Sequence, residues 1–91
     1  EIEEVLRKHP EIKEAAVVGV PSEKWGEMVA AAIITRQHNH FISLDDLRAW
    51  ASEYLAKYKL PSEIMIMEDL PRNAMGKVVK PSLVRVFQKG K

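Results

Sequence analysis

The sequence predicts a small α+β domain, in which a sheet of three or slightly more strands is flanked by helices, and three patterns carry that expectation. Ala15, Ala16, Val17, Val18 and Val20 form an apolar run without polar alternation, as does the partly β-branched run over residues 28–35. Leu44, Leu47, Trp50, Ala51, Tyr54, Leu55 and Tyr58 recur at spacings of three and four, the mark of an apolar helical stripe. A third short run, Ile64, Met65, Ile66 and Met67, follows Pro61 and reads as another strand.

Taken in order, Ile2, Val5 and Leu6 share one face of a first helix over residues 2–9, ended by Pro10, which disfavours helical geometry at His9. No Ser, Thr, Asp or Asn precedes Ile2 as an N-cap and the chain opens without Met, so a piece excised from a larger protein is expected. Pro21 should close the first strand, and residues 21–26 read as the turn before the second. The two runs fit a hairpin, although sequence does not order them. Ser43, with Asp46 three positions on, makes a capping-box arrangement that should start a helix of about four turns, ended by Pro61. On that stripe Trp50, Tyr54 and Tyr58 are expected in the core. Residues 62–67 form the third strand, with apolar side chains toward two covered faces, and residues 68–77 a loop. Pro81 suits the first turn of a last helix that docks through Leu83, Val84 and Phe87.

Ninety-one residues allow one domain with one modest core, and with no cysteine neither a disulfide nor a thiolate metal site supplements it. A formal net charge of +1, with both signs interspersed, argues against nucleic-acid binding. No apolar run approaches the roughly 18 residues of a transmembrane segment, and no signal peptide or other address stands at the start. Cytoplasm and mitochondrial matrix both suit such a chain. His38 and His40 form a His-x-His without further ligands, which reads as a solvated loop, so no metal is expected.

The peculiar stretch is Pro71-Arg72-Asn73-Ala74-Met75-Gly76-Lys77. Pro71 fixes the exit from the third strand, Gly76 supplies a position free of Cβ, and Lys77 stands beside it on a loop tip able to deliver an ammonium. A phosphate-binding P-loop is the competitor. It fails because Pro71 stands where that motif needs glycine and Val78 where it needs the Mg-binding hydroxyl. The lysine must therefore act on a ligand held elsewhere.

With Lys80 added, that stretch resembles the last signature motif of the adenylate-forming acyl-CoA synthetases, luciferases and carrier-loading adenylation domains. Three further stretches are similar to that family in the same order. They are Ile2-Glu3-Glu4-Val5-Leu6 with His9-Pro10, Val17-Val18-Gly19-Val20-Pro21 leading to Gly26-Glu27, and Tyr58-Lys59-Leu60-Pro61. The resemblance covers essentially the whole chain and implies that residues 1–91 are the C-terminal lid domain of an acyl-CoA synthetase, with that family's C-terminal fold. It implies a ligase that uses ATP with Mg, then CoA, to activate a carboxylic acid such as a fatty acid, the nucleotide and acid pockets and the Mg ligands lying in an absent N-terminal domain. Lys77 would aid adenylation, with Pro71, Arg72, Asn73 and Gly76 positioning it. Gly19, Trp25, Gly26 and Glu27 would face the thiol channel or the large domain after the lid swings. The wording around Met75 looks most like synthetases for small or dicarboxylic acids, malonyl-CoA synthetases among them, and the family's Gly-Lys loop is also an acetylation target.

Each residue has a blander reading. Lys77 as a solvated loop lysine is outweighed by its motif, whereas Lys80 is better read as a surface charge or loop contact. For Arg72 and Asn73 shaping the loop is preferred to touching nucleotide. Trp25 fits an interdomain contact and a satellite core contact equally well. Two alternatives remain: the lid of a carrier-protein-loading adenylation domain, and a non-catalytic interaction module, against which the presence of Lys77 argues.

Overall fold

In a computed structural model, residues 1–24, 26–37 and 41–89 are described. The element order is helix α1 (Ile2–Arg7), strands β1 (Ile12–Ser22) and β2 (Gly26–Thr35), helix α2 (Leu44–Ala51), strand β3 (Glu63–Ile66) and helix α3 (Lys80–Lys89). The expected α+β class and three strands are present.

The sheet runs β1-β2-β3, with β1 antiparallel and β3 parallel to β2. The first two strands form the expected hairpin, closed at Ser22 opposite Gly26, whose φ of +82° is the left-handed conformation glycine tolerates. Pro21 does not end β1 as expected. It lies in register with Glu27, because an edge strand accommodates a proline that a central strand would reject. The parallel return of β3 is made through α2, which thereby covers one face.

Both faces of the sheet are buried, and alternation divides the side chains between two cores. Beneath α1 and α2 lie Leu6, Ile12, Ala15, Ala31, Ile33 and Leu47, with Ile64 and Ile66 packed against them. Beneath α3 lie Ala16, Val18, Ala32, Ile34, Leu83 and Phe87, with Met65 and Met67. The expected two-faced β3 is thus observed. The central strand passes three fully buried alanines, Ala30, Ala31 and Ala32, between the layers.

The helices depart from expectation at their ends. The first stops at Arg7, not residue 9, because the Lys8 and His9 amides donate to the carbonyls of Val5 and Leu6 in tighter three-residue turns. Ser43 caps α2 as expected, its Oγ accepting from the Asp46 amide at 3.1 Å. The helix nevertheless ends after eight residues at Ala51. The Ser52 hydroxyl donates to the Ala49 carbonyl at 2.7 Å, the Tyr54 amide steps back to Ala51 at 2.9 Å, and Ala56 is extended. A single 3-10 turn over Lys57–Lys59 follows. The break turns the aromatic stripe outward. Tyr54 and Tyr58 are 53% and 79% exposed, which corrects their assignment to the core, and Trp50 is half-buried against His9 and Tyr54. Leu55 and Leu60 are buried instead.

Candidate functional site: the Lys77 loop

The loop that follows β3 is rooted in the core at both ends. Leu70 is buried and Val78 packs beside it in the core beneath α3. Between them Arg72 and Val78 form an antiparallel bridge, the Val79 amide donates to the Pro71 carbonyl at 2.8 Å, and the Asn73 amide to the Lys77 carbonyl at 2.9 Å. The result is a closed hairpin-like tip.

Asn73 organises that tip. Its Oδ1 accepts from the amides of Met75 at 2.9 Å and Lys77 at 3.1 Å, while its own carbonyl accepts from Gly76 at 2.9 Å. Three successive amides are therefore turned inward, so this loop offers no cradle of free N–H groups to a phosphate. Gly76 has φ +82°, and a Cβ built on it would meet nothing within 4 Å. Backbone conformation, not space, calls for glycine there.

Arg72 is the second organiser. Its Nη2 donates to both carboxylate oxygens of Glu14, at 2.7 and 2.6 Å, its Nε to Asp69 Oδ1 at 3.2 Å, and its Nη1 to the Gly76 carbonyl at 3.3 Å. Hydrogen bonds donated to Glu14 and Asp69 raise the guanidinium pKa further, and the Leu70 amide together with Arg72 holds the Asp69 carboxyl below its usual range. With Arg72 so engaged, the loop's remaining cation is Lys77. It is exposed, and no hydrogen bond or ion pair reaches its ammonium among the described residues. Met75 beside it is 80% exposed.

Lys80 is spent elsewhere. Its ammonium lies 3.0 Å from Glu3 Oε2, the same oxygen that accepts from the Val17 amide at 2.7 Å on the open edge of β1. Burial acts to raise the Glu3 pKa, but Val17, Lys80 and Arg7 outweigh it and leave the carboxyl lowered.

Gly19, Gly26 and Glu27 stand together toward the turn of the hairpin, five or more residues along β1 from Glu14, or about 16 Å and beyond. The Glu27 carboxylate covers Gly19, where a Cβ would fall 2.4 Å from Cδ. Gly19 also borders a groove of about 580 Å³ between β1 and α3, which Lys80 and Arg85 flank. Trp25, His38 and His40 lie outside the described residues. Among those described, no three His, Cys, Asp or Glu side chains gather to hold a metal, so these residues do not fit a Mg site.

Residues 1–77, which include the whole tip up to its lysine, match the AMP-binding enzyme C-terminal domain. The chain belongs to that family. This AMP-binding C-terminal domain is 47% identical to the mitochondrial malonate–CoA ligase of Bos taurus, over 93% of the chain but 14% of that protein. Among solved structures it superposes on the fatty acyl CoA synthetase of Mycobacterium tuberculosis with a TM-score of 0.87 at 37% identity, over 99% of the chain and 18% of the synthetase. It also superposes on the o-succinylbenzoate CoA synthetase of Bacillus subtilis, in complex with its acyl-adenylate intermediate, with a TM-score of 0.81 at 36% identity, over 91% of the chain and 16% of that protein. The chain thus spans about a sixth of the relatives it matches, and the α+β class of the AMP-binding C-terminal domain is theirs.

Two residues of the loop's support were not foreseen. Asp69 is a short-range partner of Arg72, but Glu14 is 58 residues away in sequence and nothing local marks it. The Glu3 contact with Lys80 escaped for the same reason.

Proposed function

We propose that this chain is the lid of an ATP-dependent acid–thiol ligase and that Lys77 serves the first of its two half-reactions. A carboxylate attacks the α-phosphorus of ATP, forming the acyl-adenylate and releasing pyrophosphate. The CoA thiol then attacks the acyl carbon, and AMP leaves with the thiol proton passing to solvent. Negative charge spreads over carboxylate and phosphoryl oxygens as the first bond forms, and an ammonium held there favours that transition state over the separated reactants. The observation that carries the reading is a Lys77 ammonium without a partner among the described residues, on a tip whose arginine and whose amides at Asn73, Met75, Gly76 and Lys77 are internally engaged. Such a tip has a charge to deliver and no site of its own.

ATP, Mg and the acid are therefore assigned to a preceding N-terminal domain, the lid's partner. Gly19, Trp25, Gly26 and Glu27 are assigned to the surface that meets that domain or the thiol arm in the second step, with the cationic flanks of the adjoining groove in support. The named acids of similar relatives differ, being malonate, a fatty acyl group and o-succinylbenzoate, which supports placing acid choice outside this chain. Malonate is the first acid to try, and the mitochondrion, where the bovine relative's name puts it, the first compartment to examine.

The test is product analysis on the full-length protein carrying this chain. With ATP, malonate or a related acid, and CoA, it should yield AMP, pyrophosphate and an acyl-CoA thioester in equal amounts. ADP as the nucleotide product, or adenylate that only a carrier protein discharges, would overturn the assignment.

A further inference from the structure

We propose that Glu14 is a positioning residue for Lys77, acting through Arg72 on the peptide that joins Gly76 to Lys77. This rests on the reading of Lys77 given above. That peptide unit is held from both sides: Arg72 Nη1 donates to its carbonyl at 3.3 Å and its N–H donates to Asn73 Oδ1 at 3.1 Å. Because a peptide is planar, pinning its oxygen and its hydrogen fixes the plane, and with it the direction in which the Lys77 side chain leaves the backbone. Asn73 belongs to the loop and moves with it. Arg72 is anchored outside the loop tip, at Glu14 on β1 and at Asp69 on the loop's base. Glu14 is thus the link between the plane that aims Lys77 and the rigid sheet.

A second observation points the same way. The pairing of β1 with β2 shifts by one residue between Ile12 and Glu14, so Lys13 is an extra residue in the strand. Strict alternation would put Ile12 and Glu14 on one face. Instead Ile12 packs with Ala15 in the core beneath α1 and α2, while Glu14 reaches the loop rooted on the opposite side beside Leu70 and Val78. The bulge lets the strand bury Ile12 and still send a carboxylate to Arg72, the re-aiming of a side chain for which bulges serve.

The experiment uses the full-length ligase with Glu14→Gln, Glu14→Asp, Arg72→Lys and Lys77→Ala, and reads three quantities. Single-turnover adenylate formation should fall about threefold to tenfold in Glu14→Gln, in line with a half-exposed but charge-assisted contact, with KM for ATP and acid nearly unchanged. Thioester formation from supplied acyl-adenylate should stay at the wild-type rate. Amide deuterium exchange across residues 72–79 should quicken. Glu14→Asp should recover part of the loss, and Arg72→Lys, whose ammonium cannot reach three acceptors in a plane, should reproduce the Glu14→Gln pattern. Lys77→Ala should slow adenylation by about a hundredfold or more without quickening exchange. Unchanged exchange in Glu14→Gln, or equal loss in both half-reactions, overturns the clamp while leaving Lys77 in place. Full adenylation by Lys77→Ala overturns the reading of the lysine instead, and the exchange measurement still decides whether Glu14 holds the loop.

Discussion

Gly76 is the position where a single methyl group separates backbone from space. Since the site around its Cβ is open and its φ is +82°, Gly76→Ala should cost about 1–2 kcal/mol, through conformation alone, in the denaturant unfolding of this chain. A stability equal to wild type would mean the turn adapts. Asn73→Ala strands two exposed amides and should cost about 0.5–1.5 kcal/mol, whereas Asn73→Asp, which keeps the acceptor, should cost less. The carboxyl of Glu3 lies below its usual range, so its contribution to stability is fully present above the unfolded value, about 4.3, and is lost as pH falls through the lower folded value. Glu3→Gln should accordingly flatten the decline of stability between pH 5 and 3, as urea titrations at the two pH values would measure. At this scale Lys77 and Gly76 were legible because a Gly-Lys pair on a loop is local chemistry. Glu14 was not, because its meaning lies in Arg72, 58 residues on.

Among the elements, strands were read better than helices. A short unalternated apolar run with β-branched residues is what a strand covered on both faces looks like, and β1, β2 and β3 all split their side chains between two cores. The helical stripe through Tyr58 misled because periodicity records which side chains are apolar, not whether the backbone continues. Ser52 bonds back to Ala49 and the chain tightens into 3-10 turns, after which Leu55 and Leu60 take the core positions that the tyrosines were expected to fill. Leu55→Ala should therefore cost about 2–5 kcal/mol in chemical denaturation, while Tyr58→Ser stays within about 0.5 kcal/mol. If Tyr58 proved the costlier, the helix would have to extend beyond Ala51.

At the scale of the molecule, a thin sheet between two cores presents one fixed tip. The antiparallel hairpin supplies the anchor at Glu14, the parallel return of β3 brings the chain to Asp69, and α3 roofs the core on which both ends of the loop rest. The fold class and the tip's identity were readable from sequence, since both are written in contiguous residues, while the register that joins β1 to the loop depends on a bulge no composition reveals. Because the amides of Asn73, Met75, Gly76 and Lys77 are turned inward, the isolated chain should titrate ATP without saturation at micromolar concentrations and form no adenylate. The decisive comparison is rapid-quench kinetics of Lys77→Ala in the full-length protein that carries this chain. Adenylate formation should slow by about a hundredfold or more while discharge of supplied adenylate to CoA keeps its rate. Adenylate formed at the wild-type rate without that ammonium would contradict the role assigned to it.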